Sequence, residues 1–216
     1  VFVSYIYIAG DSYCFHRENI EKHWPAKLAE LCSLQLEGYG FAGQGWWPVR
    51  KHLLDYMKSH KFEETEYFVF CHTDPNRLLS SNPIFSIPSS DGDLAKKIWH
   101  TYIQTDDVTT WCMQQWFYEL NQLMQGKKVV HLQCFPNTQQ YFSILEGIKF
   151  DTPLLHIAVT SAGGQPNTWG DREDIKKLMH QYHNHLSPEF NLRLAHTVHN
   201  SLLSHSNKQQ CIQIDL

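Results

Sequence analysis

The sequence predicts an α/β fold built on a parallel sheet with helices on both sides. Short β-favouring runs alternate with longer segments of helical periodicity along the whole chain, and that alternation is the signature of strand–helix–strand units. Two of the runs, Glu-Tyr-Phe-Val-Phe-Cys-His at 66–72 and Val-Val-His-Leu-Gln-Cys-Phe at 129–135, are largely apolar, as strands covered on both faces are. The 216 residues hold no repeat, no low-complexity tract and no convincing linker. A single domain over 1–216, long enough to bury a substantial core, is therefore expected.

The elements follow in order. Residues 1–9 read as the first strand, which ends in Gly10-Asp11-Ser12. Over 18–31, Ile20, Trp24, Leu28 and Leu31 share one helical face, and Pro25 starts or kinks the main body of that helix. A second strand is expected at 33–38. A glycine-rich turn (Gly38, Gly40, Gly43, Gly45) then leads to a helix over 46–59. Residues 66–72 are a central strand. The stretch 74–92, with Pro75, Pro83, Pro88 and Gly92, is a long loop of the kind that serves as a lid or binding loop. Helices are expected at 93–103 and 106–125, the second closed by Gly126. A strand at 129–135, a helix at 138–147, a strand at 153–159 and a loop at 161–166 come next. Helices at 170–181 and 187–204 end the fold. Ser187-Pro188-Glu189 is a helix start, with Ser as cap and Pro in the first turn. Phe190, Leu194, Val198 and Leu202 recur every four residues to dock on the sheet. The polar tail after His205 is expected to fray.

Composition excludes several function classes. Lys plus Arg number 18 against 22 Asp plus Glu, a formal charge of −4, with no basic cluster; nucleic-acid binding is not expected. No apolar run is long enough to span a bilayer. The six cysteines form no C-x-x-C pair, which argues against a zinc site or a redox motif. With a strand at the amino end rather than a secretion leader, scattered thiols point to a reduced, cytoplasmic protein; the absence of an initiator Met leaves room for a removed leader. His180, His183 and His185 have a spacing that can ligate a metal, but three such close histidines seldom share one coordination geometry. No metal and no cofactor are expected, and the sequence does not speak to oligomeric state.

In a parallel α/β sheet the loops after the strands gather at one edge, where ligands bind. Ser12, the 40–45 turn, His72-Thr73-Asp74 and the segment around His185 fall in such loops. Ser12 supplies a nucleophile and His185 a base. Backbone N–H groups of Ser12 and Gly43 supply oxyanion donors, with Thr73 as a side-chain donor. Each residue also has a plainer reading: Gly-Asp-Ser as a strand-ending turn, His185 as a helix-entry residue, Gly43 as a turn glycine. Asp11 reads as a loop anchor through local backbone N–H groups. Arg77, in Asp74-Pro75-Asn76-Arg77, either meets a substrate anion or closes the loop with a salt bridge. Trp46 and Trp47 serve as a substrate platform or, more simply, as helix packing.

Ile8-Ala9-Gly10-Asp11-Ser12 resembles the first block of the SGNH hydrolases, or GDSL-type esterases. Gly43 is similar to the glycine of their second block, and Asn184-His185-Leu186-Ser187-Pro188-Glu189 to their last, where the catalytic histidine precedes the terminal helix. The resemblance covers nearly the whole chain. It implies a flavodoxin-like three-layer α/β/α sandwich with a five-stranded parallel sheet that cleaves esters without a metal. The substrate would be a small ester or an acylated carbohydrate, bound near Asp74, Arg77 and Trp46. Two blocks depart from the pattern. The third usually reads Gly-x-Asn-Asp, whereas Cys71-His72-Thr73-Asp74 puts Thr73 where Asn completes the oxyanion hole; Asn76 is the nearby substitute. The family's Asp three residues before the histidine is here Tyr182, and His180 stands five before it. The alternative is a carbohydrate- or ligand-binding protein on the same fold with weakened catalysis.

Overall fold

The computed structural model describes residues 3–14, 23–40, 45–75, 77, 105–165, 177, 185–204 and 210–212. Its centre is a parallel sheet whose strands are β1 (Tyr5–Gly10), β2 (Gln35–Gly40), β3 (Thr65–His72), β4 (Lys128–Gln133), β5 (Ile148–Phe150) and β6 (Gln210–Ile212), ordered β2-β1-β3-β4-β5-β6. Five α-helices accompany them among the described residues: α1 (Trp24–Cys32), α2 (Trp46–Tyr56), α3 (Asp106–Leu123), α4 (Leu154–Ser161) and α5 (Pro188–Ser204). No helix among these residues is long and apolar enough to cross a membrane.

Strand alternation divides the core in two. Ile6 and Ile8 of β1, Val69 and Cys71 of β3, and Val130 and Leu132 of β4 pack with Trp24 and Leu28 of α1, Ile157 of α4, and Leu194 and Val198 of α5. Tyr7, Ala9, Phe68, Phe70 and Val129 face the other way, onto Leu53 of α2 and Met113, Phe117 and Leu120 of α3. Both faces of β1, β3 and β4 are thus covered, which is why their sequences read as apolar runs. A fully buried Phe or Leu contributes roughly 1.5–3 kcal/mol, so these two clusters are the main source of stability.

The chain leaves β1 towards β2 on one side and then continues from β3 outward on the other. The reversal falls between β1 and β3, and ligands of open parallel sheets bind beyond the carboxyl ends of strands at such a switch point. Gly10 ends β1 opposite Cys71 of β3. A Cβ at Gly10 would lie 2.4 Å from the Cys71 carbonyl oxygen and 2.5 Å from its Cβ, so only glycine lets the two strand ends come this close.

Four expectations need correction. The apolar run at 153–159 is helix α4, not a strand; Pro153 takes the cap position before it with φ −61°. A short apolar run does not by itself distinguish a buried strand from a buried helix. The strand of that region is the three-residue β5, just past the segment expected to be a helix at 138–147, most of which is a 3-10 helix over Pro136–Ile144. Among the described residues the sheet has six strands rather than five, because part of the tail forms β6 beside β5. The helix expected over 18–31 does not run through His23, which is extended with ψ 149° and caps a helix that begins at Trp24, with Pro25 in its first turn as expected; residues 18–22 lie outside the described residues. The expected helix at 93–103, that at 170–181 apart from residue 177, and most of the 74–92 loop lie outside the described residues.

Candidate active site

Ser12 sits in the single 3-10 turn Ser12–Cys14 directly after β1. The turn is fixed by Asp11, whose Oδ1 accepts a hydrogen bond from Tyr13 N at 3.0 Å while its carbonyl accepts from Cys14 N at 3.2 Å. Asp11 is therefore the anchor of the turn that carries Ser12. His185, three residues before α5, lies across the switch point, and its Nε2 is 3.0 Å from Ser12 Oγ. The two residues are 173 positions apart. In the pairing useful for catalysis Ser12 Oγ–H donates to Nε2, which puts the ring proton on Nδ1.

His185 carries strain. Its φ is +64°, the left-handed region that costs a non-glycine residue about 1–2 kcal/mol. The Tyr13 ring packs against its imidazole at a centroid distance of 5.2 Å, and Phe135 meets Tyr13 edge-on at 5.9 Å. Ser12 is only 4 % exposed; in so desolvated a place, charge developing on the serine interacts more strongly with nearby dipoles than it does in water.

Beneath the serine lies a buried polar knot. Asp11 is fully buried, and burial raises its carboxyl above the ordinary range. The Arg77 guanidinium, the Tyr13 N–H and the Cys134 thiol oppose that shift. Arg77 Nη1 stands 3.7 Å from Asp11 Oδ2 and its guanidinium lies 4.9 Å from the Phe135 ring centre. Cys134 Sγ–H donates to Asp11 Oδ1 at 3.2 Å, and Cys14 Sγ–H to the Asp11 carbonyl at 3.3 Å. Burial pushes the Cys71 and Cys134 thiols well up, so these thiols act as protonated, weak donors rather than nucleophiles.

The other sequence-predicted residues fall as follows. Thr73 is buried after β3, and its hydroxyl favours ionised Asp11 from close by without reaching hydrogen-bond geometry. Its carbonyl accepts from Thr138 Oγ1 at 3.2 Å. Asp74 is half-buried in the same loop, where its carbonyl accepts from Arg77 N at 3.2 Å. Arg77, paired with Asp11, has the loop-closing contact. Trp46 is buried at the start of α2 and stacks on Trp116 at 5.9 Å, while Trp47 is the exposed member of the pair. Gly43, Asn76, His180, Tyr182 and His183 lie outside the described residues. Among the described residues no group of three or more metal-binding side chains is assembled.

Sequence reading missed Tyr13, Trp24 and Asn191, all buried around the Ser12–His185 pair. Tyr13 adjoins the serine and was discoverable; the other two act through contacts that no local pattern encodes. Further along the carboxyl edge a groove of about 730 Å³ is lined by Pro75, Thr109, Thr110, Asn137, Gln140 and Tyr141 among others. A second hollow, of about 380 Å³, opens at the opposite edge near Lys128, Gly147 and Ile148 and belongs to no part of this site. Comparison of the chain with protein-family models, with curated proteins and with solved structures finds no match.

Proposed function

We propose that the protein is a serine hydrolase of the SGNH type that cleaves carboxylic esters through an acyl-enzyme on Ser12. The observation that carries this reading is the 3.0 Å approach of Ser12 Oγ and His185 Nε2 at the sheet's switch point. A nucleophile and a base in hydrogen-bond contact are the minimum requirement for acyl transfer. A three-layer, flavodoxin-like arrangement accords with helices on both faces and with the order β2-β1-β3-β4-β5 within the sheet.

The chemistry runs in two halves. Ser12 Oγ attacks the ester carbonyl as His185 Nε2 takes its proton; the carbonyl π pair moves to oxygen and a tetrahedral intermediate forms. The Ser12 N–H, with Gly43 N–H and a donor from Thr73 or Asn76, stabilises that oxyanion. Collapse expels the alcohol, which takes the proton from His185 and leaves Ser12 acylated. Water, deprotonated by His185, then attacks the acyl-enzyme; collapse releases the acid and returns the proton to Ser12. No metal or cofactor has a step in this scheme. The groove beside Pro75 and Gln140 offers amides and hydroxyls, a lining suited to a polyhydroxylated alcohol such as a sugar.

Short-chain p-nitrophenyl esters, acetate through octanoate, test the reading. The unmodified protein should turn them over, and Ser12→Ala and His185→Ala should each reduce hydrolysis to background with the fold intact. Equal turnover by either variant and the unmodified protein rules the mechanism out, and no turnover by any of them favours a ligand-binding protein with a relic site.

A further inference from the structure

We propose that Asn191, on α5, is a positioning residue that holds His185 over Ser12 by closing a ring of buried hydrogen bonds through Trp24; the inference rests on the esterase reading of the site. Asn191 is 2 % exposed. Its Nδ2 donates to Leu186 O at 2.9 Å and to Ser187 O at 3.1 Å, the two carbonyls that directly follow His185. Its Oδ1 accepts from Trp24 N at 2.9 Å. That N–H is among the first of α1, whose own cap residue, His23, makes no side-chain capping bond. Asn191 thus caps α1 from a different helix, meeting a need that every helix start has.

The ring closes at the nucleophile. Trp24 Nε1–H donates to Tyr13 O at 2.8 Å, and Tyr13 follows Ser12. From Ser12 the path runs through Tyr13 O, the indole and backbone N–H of Trp24, the Asn191 amide and Leu186 O to His185, whose Nε2 returns to Ser12 Oγ. A backbone strained at φ +64° persists only where its surroundings over-determine it, and this ring restrains the His185 segment from its carboxyl side. The chemistry is that of a side-chain carboxamide. The site needs one acceptor and two donors on one planar group; aspartate supplies only acceptors and alanine neither.

Two substitutions separate positioning from mere stability. Asn191→Asp keeps the acceptor for Trp24 N and turns a second acceptor on Leu186 O and Ser187 O. Trp24→Phe keeps an aromatic ring and removes the donor to Tyr13 O, together with the volume of the indole's second ring. Leu194→Ala, a buried position on the same helix outside the ring, is the stability control. The readouts are the rate constant for fluorophosphonate labelling of Ser12 and the ring 15N shifts of His185, assigned with His185→Gln. Asn191→Asp should slow labelling at least about tenfold and Trp24→Phe by a smaller factor, the size of loss that misplacing a catalytic group produces. Leu194→Ala should stay within about twofold, its effect being on packing rather than on the geometry of the pair. Labelling by Asn191→Asp at the unmodified rate, or an equal loss in Leu194→Ala, overturns the proposal. If the unmodified protein does not label at Ser12, the esterase reading fails and the ring shifts decide. A shift in Asn191→Asp but not in Leu194→Ala upholds the positioning role, and no shift in Asn191→Asp overturns it.

Discussion

Replacing His131 with glutamine should flatten the acid limb of the protein's stability. His131 in β4 and His72 at the end of β3 are both buried, with His72 Nε2 and His131 Nδ1 2.9 Å apart and His131 Nε2 3.0 Å from Glu146 O. For neutral rings, His131 donates from Nε2 to that carbonyl and accepts at Nδ1 from His72. Burial drives His131 down to about 3, with Lys149 lowering it further and the Glu146 carbonyl opposing; burial and then His131 hold His72 well below the ordinary range. Unfolded, each ring titrates near 6.5. Between 6.5 and the depressed folded values the unfolded chain binds more protons, so stability is complete above 6.5 and falls with pH by about 1.4 kcal/mol per unit per ring. At pH 5 the loss is thus about 2 kcal/mol for each, about 4 kcal/mol for the pair, whatever the folded value so long as it stays well below 5. Asp11, raised by burial, contributes with the opposite sign just above pH 3.8, and the comparison of two proteins cancels it. Urea unfolding at pH 7.5, 6 and 5 should show the His131→Gln protein losing about 2 kcal/mol less over that range than its parent. Equal slopes would refute the claim that His131 is buried in the neutral form.

Other expectations rest on single contacts. Gly10→Ala, which forces a Cβ against Cys71, should cost about 1–3 kcal/mol as overpacking does and lower the denaturation midpoint. Arg77→Met leaves buried Asp11 without its guanidinium and should destabilise by roughly 3 kcal/mol at pH 7; the deficit should shrink towards pH 4 as Asp11 protonates, which paired thermal melts at the two values would record. Ser12→Ala should lower ester turnover by at least about 10³-fold while leaving the melting temperature within a few degrees, measured by initial rates and scanning calorimetry.

The strands of the sheet's centre were legible because burial on both faces writes continuous apolar runs into 66–72 and 129–135. The turn after β1 was legible because Gly10 and Asp11 have local tasks, close strand approach and an Asx-type bond to Tyr13 N. At 148–160 the reading failed on a physical ambiguity. Leu154 to Val159 is apolar enough for either element, and three residues of β5 are too few to show alternation. The Asn191 ring was invisible for a different reason: its bond to Trp24 spans 167 positions, and nothing near Asn191 marks a midhelical asparagine as the cap of another helix. Trp24, likewise, reads as an ordinary core residue, since its indole N–H partner is known only once the fold is formed.

Reaction with a fluorophosphonate, followed by peptide mapping, tests the central claim most directly. The account predicts one adduct per chain, on Ser12, that is lost in Ser12→Ala and strongly slowed in His185→Ala. An unlabelled protein, or an adduct on any other residue that persists in Ser12→Ala, would contradict it.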